Sequence, residues 1–150
     1  MSKLQAVFLD RDGTIGGNGL WCHPRDFSLY PGSAEAIVRL KEAGIKVFAF
    51  TNQNRISKGE VTLEEFVDQF STIQAAAEHG LDLTQCAVVG DVGAWDMLAA
   101  ARVGALKVLV RTGLGESSLG EYRHTWADVE PDYIAADLRD AVAWLLSTTD

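Results

Sequence analysis

Ala6-Val7-Phe8-Leu9-Asp10-Arg11-Asp12-Gly13-Thr14 is the stretch on which the reading of this chain turns. Four apolar residues suit a short buried strand, and two carboxylates, Asp10 and Asp12, stand at its carboxyl end. Acids there make a poor core and a good site, because ligands of open α/β sheets collect just beyond the carboxyl ends of the strands. Asp10 stands where it can attack, and Asp12, two residues on, where it can handle a proton. A polar turn with an aspartate cap is the plainer alternative. Two other segments weigh against it, Val47-Phe-Ala-Phe-Thr-Asn-Gln53 and Ala87-Val-Val-Gly-Asp91, the second followed by Asp96. Each is an apolar strand that ends in a polar group at the same relative place.

Outward from these segments, strand-like runs at 5–9, 46–50, 86–89 and 106–110 alternate with helical patterns, the signature of a parallel sheet built from βαβ units. A helix is expected from Ser33 to Ala43, stopped by Gly44. A second opens on the capping box Thr62-Leu-Glu-Glu65 and ends at Gly80. A third, short helix runs from Ala94 to Arg102 and closes at Gly104. Pro131-Asp-Tyr-Ile134 reads as an edge strand before a last helix, Leu138 to Leu146, whose Trp144 and Leu145 belong to the core. Right-handed crossovers put the 46–50 strand on one side of the 5–9 strand and the 86–89 strand on the other. Asp10, Asp12, Thr51 and Asp91 then surround one crevice.

A chain of 150 residues predicts a single domain, 1–150, of α/β class. Its net charge of −8 argues against nucleic acid as a partner. The same charge repels anions at long range, so any anion site here needs local positive charge. No apolar run approaches the roughly 20 residues that span a bilayer, and residues 1–5 lack the apolar stretch of a secretory signal. The expectation is a cytoplasmic protein without a membrane partner, a monomer or weak dimer. Cys22 and Cys86 support no disulfide framework, and Cys86 reads as a small core residue.

The three strand-end segments resemble three of the four motifs of the haloacid dehalogenase superfamily of phosphohydrolases. Asp10-Arg-Asp-Gly-Thr14 is similar to its first motif, Thr51-Asn52 to its second, and Gly90-Asp91 through Asp96 to its fourth. The flanking Phe8-Leu-Asp-Arg-Asp-Gly-Thr-Ile15 and Thr51-Asn-Gln53 resemble the branch that holds histidinol-phosphate and D,D-heptose bisphosphate phosphatases. The similarity runs from about residue 5 to about residue 113. It implies a three-layer Rossmann-like sheet flanked by helices, and no substantial cap domain fits in this length. It also implies a Mg²⁺-dependent phosphatase acting on a small-molecule phosphate ester, a sugar or amino-alcohol phosphate. By that resemblance Asp10 is the nucleophile that forms an aspartyl-phosphate. Asp12 protonates the leaving oxygen and then activates water. Thr51 and the main-chain N–H of Asn52 hold phosphate oxygens. Mg²⁺, which takes six oxygen ligands including several waters, is held by Asp10, the Asp12 main-chain carbonyl and Asp91. Asp96 either orients a metal-bound water or faces a helix dipole.

The third motif departs from the pattern. The branch carries a lysine in a Lys-Pro-x-Pro-Gly-like stretch between the second and fourth motifs, and no such stretch lies between Gln53 and Gly90. Lys58 is the only lysine there. Losing a charge of that kind costs on the order of 3–4 kcal/mol of transition-state stabilisation, or about 10²–10³ in rate. Lys58, Arg55 and Arg111 are the candidate substitutes, although each reads more readily as a solvated surface charge. The zinc-binding cysteine cluster of part of the branch is also missing, and the longer family segment would fall near Phe70-Ser-Thr-Ile73. The loop at 16–30, with Trp21, His23 and Arg25, follows the first motif where the superfamily has a flap. Arg111-Thr-Gly-Leu-Gly-Glu-Ser-Ser-Leu-Gly120 lacks the ending of a phosphate-binding loop and is expected to be mobile. Two other readings stand beside the phosphatase: an impaired phosphate-binding or regulatory protein of the same fold, and a phosphorylation-receiving domain. The order Asp10-x-Asp12-Gly-Thr does not fit the last.

Overall fold

Alternation along the first strand sorts the core into two layers. In β1 (Ala6–Asp10) successive side chains point to opposite faces. Val7 and Leu9 enter one buried cluster, and Ala6 and Phe8 enter another. A strand buried on both faces needs helices on both, which is the doubly wound α/β arrangement. The computed structural model describes residues 4–17, 24–50, 78 and 80–148.

Among the described residues five parallel strands form the sheet, in the order β2-β1-β3-β4-β5. Beside β1 lie β2 (Lys46–Phe50), β3 (Cys86–Gly90), β4 (Leu106–Val110) and the edge strand β5 (Tyr133–Ala135). Helix α1 (Ser33–Glu42) and the C-terminal α4 (Leu138–Thr148) cover the Val7–Leu9 face with Ala36, Leu40, Ala141, Val142 and Leu145. Helix α2 (Leu98–Val103) covers the other face with Ala99 and Ala100. Burying side chains of this size contributes about 1.5–3 kcal/mol each for the larger ones. Trp144 stacks on Tyr133 with ring centroids 4.9 Å apart, so it caps the rim of the core, while Leu145 is fully buried.

The expected strands are found, β2 and β3 lie on either side of β1 as expected, and the first, third and last helices lie within a few residues of expectation. The third differs in kind. Its first turn, Gly93–Met97, is π-helical, and only from Leu98 does it become an α-helix, closed by Gly104 at a φ of 75°. The helix expected to start at Thr62-Leu-Glu-Glu65 lies outside the described residues. Among the described residues there is no cap domain, and no helix is long and apolar enough to cross a membrane. Strand order reverses between β1 and β3, so their carboxyl ends flank the crevice where ligands of such sheets collect.

Candidate active site

Asp10 is the last residue of β1, and Asp91 follows the last residue of β3, so the two strands deliver their acids to one point. Asp96 reaches the same point from the π-helical turn. One carboxylate oxygen of each lies within 4.8 Å of the others. Asp10 is 2% exposed, and Asp91 and Asp96 are 0% exposed. Three acids this close and this dry repel one another and lack water to dissipate the charge. Burial pushes the Asp10 carboxyl well above the usual carboxylate range, and the neighbouring Asp96, Asp91 and Asp12 push it further. Burial also raises Asp91, against hydrogen bonds that favour its charged form, that from the Leu114 N–H among them. Asp10 Oδ1 and Asp91 Oδ1 are buried without any hydrogen-bond partner. Orphaned oxygens of this kind are rare in folded proteins. Crowded carboxylates with free, inward-facing oxygens are the donor set that a hard divalent cation takes. The residues present therefore fit Mg²⁺.

Local geometry explains how Asp96 gets there. A Cβ on Gly90 would lie 2.1 Å from Asp96 Oδ2, so glycine is the residue that lets this carboxylate lie across the end of β3. The Asp96 side chain accepts the Val92 N–H at 3.1 Å, and the Asp96 N–H in turn bonds the Val92 carbonyl at 2.8 Å. This reciprocal pair holds Asp96 at the head of the wide π turn, a geometry frequent at functional sites.

Asp12 is buried but held differently. Arg11 donates to both of its oxygens, at 3.2 Å from Nε and 3.0 Å from Nη2, while the guanidinium lies 5.1 Å from the centre of the Phe27 ring. The Asp12 carboxylate is thus outside the three-acid cluster, with both of its oxygens engaged by its neighbour. Beyond it the chain turns tightly, Gly13 N–H donating to the Gly16 carbonyl at 2.7 Å, and Ser33 at the start of α1 anchors the Ile15 carbonyl at 2.7 Å.

The segment from Arg111 to Gly120, expected to be mobile, is ordered and packs on the site. Residues Gly115–Leu119 form a helical turn, α3. Ser118 donates to the Asp91 carbonyl at 2.9 Å and accepts the Gly93 N–H at 3.2 Å, bracing the backbone on both sides of Val92. Trp126, buried against Met97 and Leu109, donates from its indole to the Ser118 carbonyl at 2.9 Å. Ser118 and Trp126 went unnoticed in the sequence because neither sits in a periodic pattern. A glycine-rich stretch reads locally as loose, whereas here the glycines permit close approach. Arg111, a candidate substitute for the missing lysine, pairs with Glu116 at 2.9 Å and is 48% exposed. His124 is exposed.

Asp10, Asp12 and Asp91 are therefore brought to one crevice, with Asp96 beside them. Thr51, Asn52 and Lys58, with Arg55, Trp21 and His23, lie outside the described residues.

Comparison with known proteins places this geometry. The family model described as haloacid dehalogenase-like hydrolase matches residues 24–104, and a second, HAD-hydrolase-like model matches residues 68–141. A D-glycero-D-manno-heptose-1,7-bisphosphate 7-phosphatase of Thermosynechococcus vestitus is 29% identical over 189 aligned positions, covering 93% of this chain and 94% of that protein. The alignment is longer than this chain's 150 residues, so the relative carries residues with no counterpart here. A D-glycero-beta-D-manno-heptose-1,7-bisphosphate 7-phosphatase of Vibrio cholerae is 30% identical over 161 positions, 77% of this chain and 86% of that protein. The fold matches that of D,D-heptose 1,7-bisphosphate phosphatase from B. bronchiseptica, solved with magnesium and phosphate. The TM-score is 0.72 at 24% identity, over 96% of this chain and 99% of that one.

Proposed function

The chain belongs to the haloacid dehalogenase-like hydrolases and is a phosphohydrolase of their heptose bisphosphate phosphatase-like branch, and from that premise we propose that it is a Mg²⁺-dependent phosphatase that removes one phosphate from a sugar bisphosphate of the D-glycero-D-manno-heptose class. The observation that carries the metal reading is the cluster of Asp10, Asp91 and Asp96, with two buried oxygens that no protein group satisfies. The relatives' names supply the substrate class. We read residues 1–150 as one cytoplasmic hydrolase domain with no nucleic-acid partner.

The site residues divide the work by position. An oxygen of Asp10 attacks phosphorus in line with the ester oxygen, and the phosphoryl group moves onto the carboxylate. Asp12 gives its proton to the departing alkoxide, then takes one from the water that attacks the acyl-phosphate. Phosphate leaves, and Asp10 is regenerated. Arg11, bound to both Asp12 oxygens, fixes the orientation of that carboxylate. Thr51 and the Asn52 N–H are assigned to the phosphoryl oxygens, and Lys58 to the position of the family lysine. Asp10, the Asp12 main-chain carbonyl and Asp91, with Asp96 beside them, would hold Mg²⁺, which would supply positive charge to the transferring oxygens.

One observation favours a weaker enzyme or a phosphate-binding protein: Arg111 is engaged by Glu116, and Lys58 is the only lysine between Gln53 and Gly90. A phosphate-release panel separates the two readings. The heptose bisphosphate, histidinol phosphate and p-nitrophenyl phosphate would each be tested with Mg²⁺ and with EDTA. The proposal expects Mg²⁺-dependent release with the highest kcat/KM on the heptose bisphosphate. Release from none of them by folded, Mg²⁺-supplied protein would leave the binding reading.

A further inference from the structure

Residues Arg111–Leu114, between β4 and α3, lie directly across the two acid-bearing loops and touch both. The Thr112 hydroxyl donates to the Gly13 carbonyl at 2.6 Å, which ties this segment to the turn after Asp12. The Leu114 N–H donates to Asp91 Oδ2 at 2.8 Å. Between them Gly113 adopts a φ of 59°, and a Cβ there would lie 2.4 Å from both Asp91 Oδ2 and Gly13 Cα. A left-handed, side-chain-free residue is therefore what lets the backbone enter this gap. One oxygen of Asp91 is thus committed to the protein, and the other, Oδ1, is the buried oxygen that nothing satisfies.

We propose that Thr112 and Gly113 are positioning residues, which clamp the first-motif turn to Asp91 and set that carboxylate to offer the cation a single oxygen, Oδ1. The inference deepens the phosphatase reading above and rests on it. A carboxylate free to rotate could chelate through both oxygens or turn away from Asp10. Held through Oδ2 by a main-chain N–H, it keeps its second oxygen, Oδ1, clear of protein hydrogen bonds inside the buried site. Hydrogen bonds behind a metal ligand orient it, and removing them costs about 10–100-fold in metal affinity or activity. Thr112 reaches no reacting atom; it acts by keeping the Leu114 N–H on Asp91.

The test is calorimetric titration of metal-free protein with Mg²⁺ alone, for wild type, Thr112→Val, Thr112→Ser and Gly113→Ala, each first shown folded by circular dichroism. Thr112→Val keeps the shape and removes the hydroxyl. It should weaken Mg²⁺ binding at least tenfold, and Thr112→Ser should restore it to within about threefold of wild type. Gly113→Ala should weaken binding at least as much, which keeps the test open if Thr112→Val fails to fold. In turnover the apparent Mg²⁺ requirement should rise while KM for the phosphate ester stays within about twofold. Unchanged Mg²⁺ affinity in Thr112→Val, beside a wild type that binds the ion, overturns the clamp and leaves the phosphatase reading standing. A wild type that takes up no Mg²⁺ overturns both.

Discussion

Replacing Asp10 by Asn should stabilise the metal-free protein at neutral pH while abolishing its chemistry. Oxygens of Asp10, Asp91 and Asp96 lie within 4.8 Å of one another in a site almost closed to solvent. At that separation two unit charges repel by about 3 kcal/mol at an effective dielectric constant near 20. Asp10 has its carboxyl raised well above 3.8 by burial and by its acidic neighbours. A raised acid favours the folded state fully below its unfolded value, and the advantage is lost as pH rises through the folded one. Near pH 4 the Asp10→Asn variant and wild type should therefore melt together. At pH 7.5 in EDTA the amide, which carries no charge, should be more stable by about 3 kcal/mol. For a chain of this size each kcal/mol moves Tm by about 2–4 °C, so the expected gap is roughly 6–12 °C. Scanning calorimetry in EDTA at the two pH values measures it. Adding Mg²⁺ should narrow or reverse the gap, because wild type gains about 2.7 kcal/mol when the ion stands at 100 times its Kd. An Asp10→Asn variant that melts at or below wild type at pH 7.5 without metal would refute the crowding argument.

Asp12→Asn removes the proton carrier proposed above but keeps the Arg11 contact in part; kcat should fall by about 10²–10⁴ with Tm within a few degrees of wild type, read from steady-state kinetics and calorimetry. Ser118→Ala strands the Gly93 N–H and the Asp91 carbonyl, and should lower stability by about 1–3 kcal/mol in urea unfolding. Gly90→Ala places a methyl group 2.1 Å from Asp96 Oδ2, so the carboxylate must move; a loss of about tenfold or more in Mg²⁺ affinity is expected by titration.

The sheet was legible because its strands carry their own signal. Val7, Leu9, Val88 and Val108 lie in apolar runs of strand length, and polar residues follow three of those runs where strands meet a crevice. Crossover handedness then ordered β2, β1 and β3 without further input. The acids were legible for the same reason: Asp10 and Asp91 interrupt apolar runs that have no use for them. The π turn was not, since nothing in the sequence marks the contact by which the Asp96 side chain accepts the Val92 N–H across the end of a strand. The glycine-rich stretch Arg111–Gly120 was misread because glycine looks the same in sequence whether it loosens a chain or admits it to a narrow gap. Only the proximity of Asp91 and Gly13, distant in sequence, distinguishes the two.

Phosphate release from D-glycero-D-manno-heptose 1,7-bisphosphate, followed in parallel for wild type and Asp10→Asn with and without Mg²⁺, tests the central claim most directly. The account predicts release by wild type only when Mg²⁺ is present, and none above background from Asp10→Asn under either condition. Release that persists in Asp10→Asn, or that proceeds equally in EDTA, would contradict it.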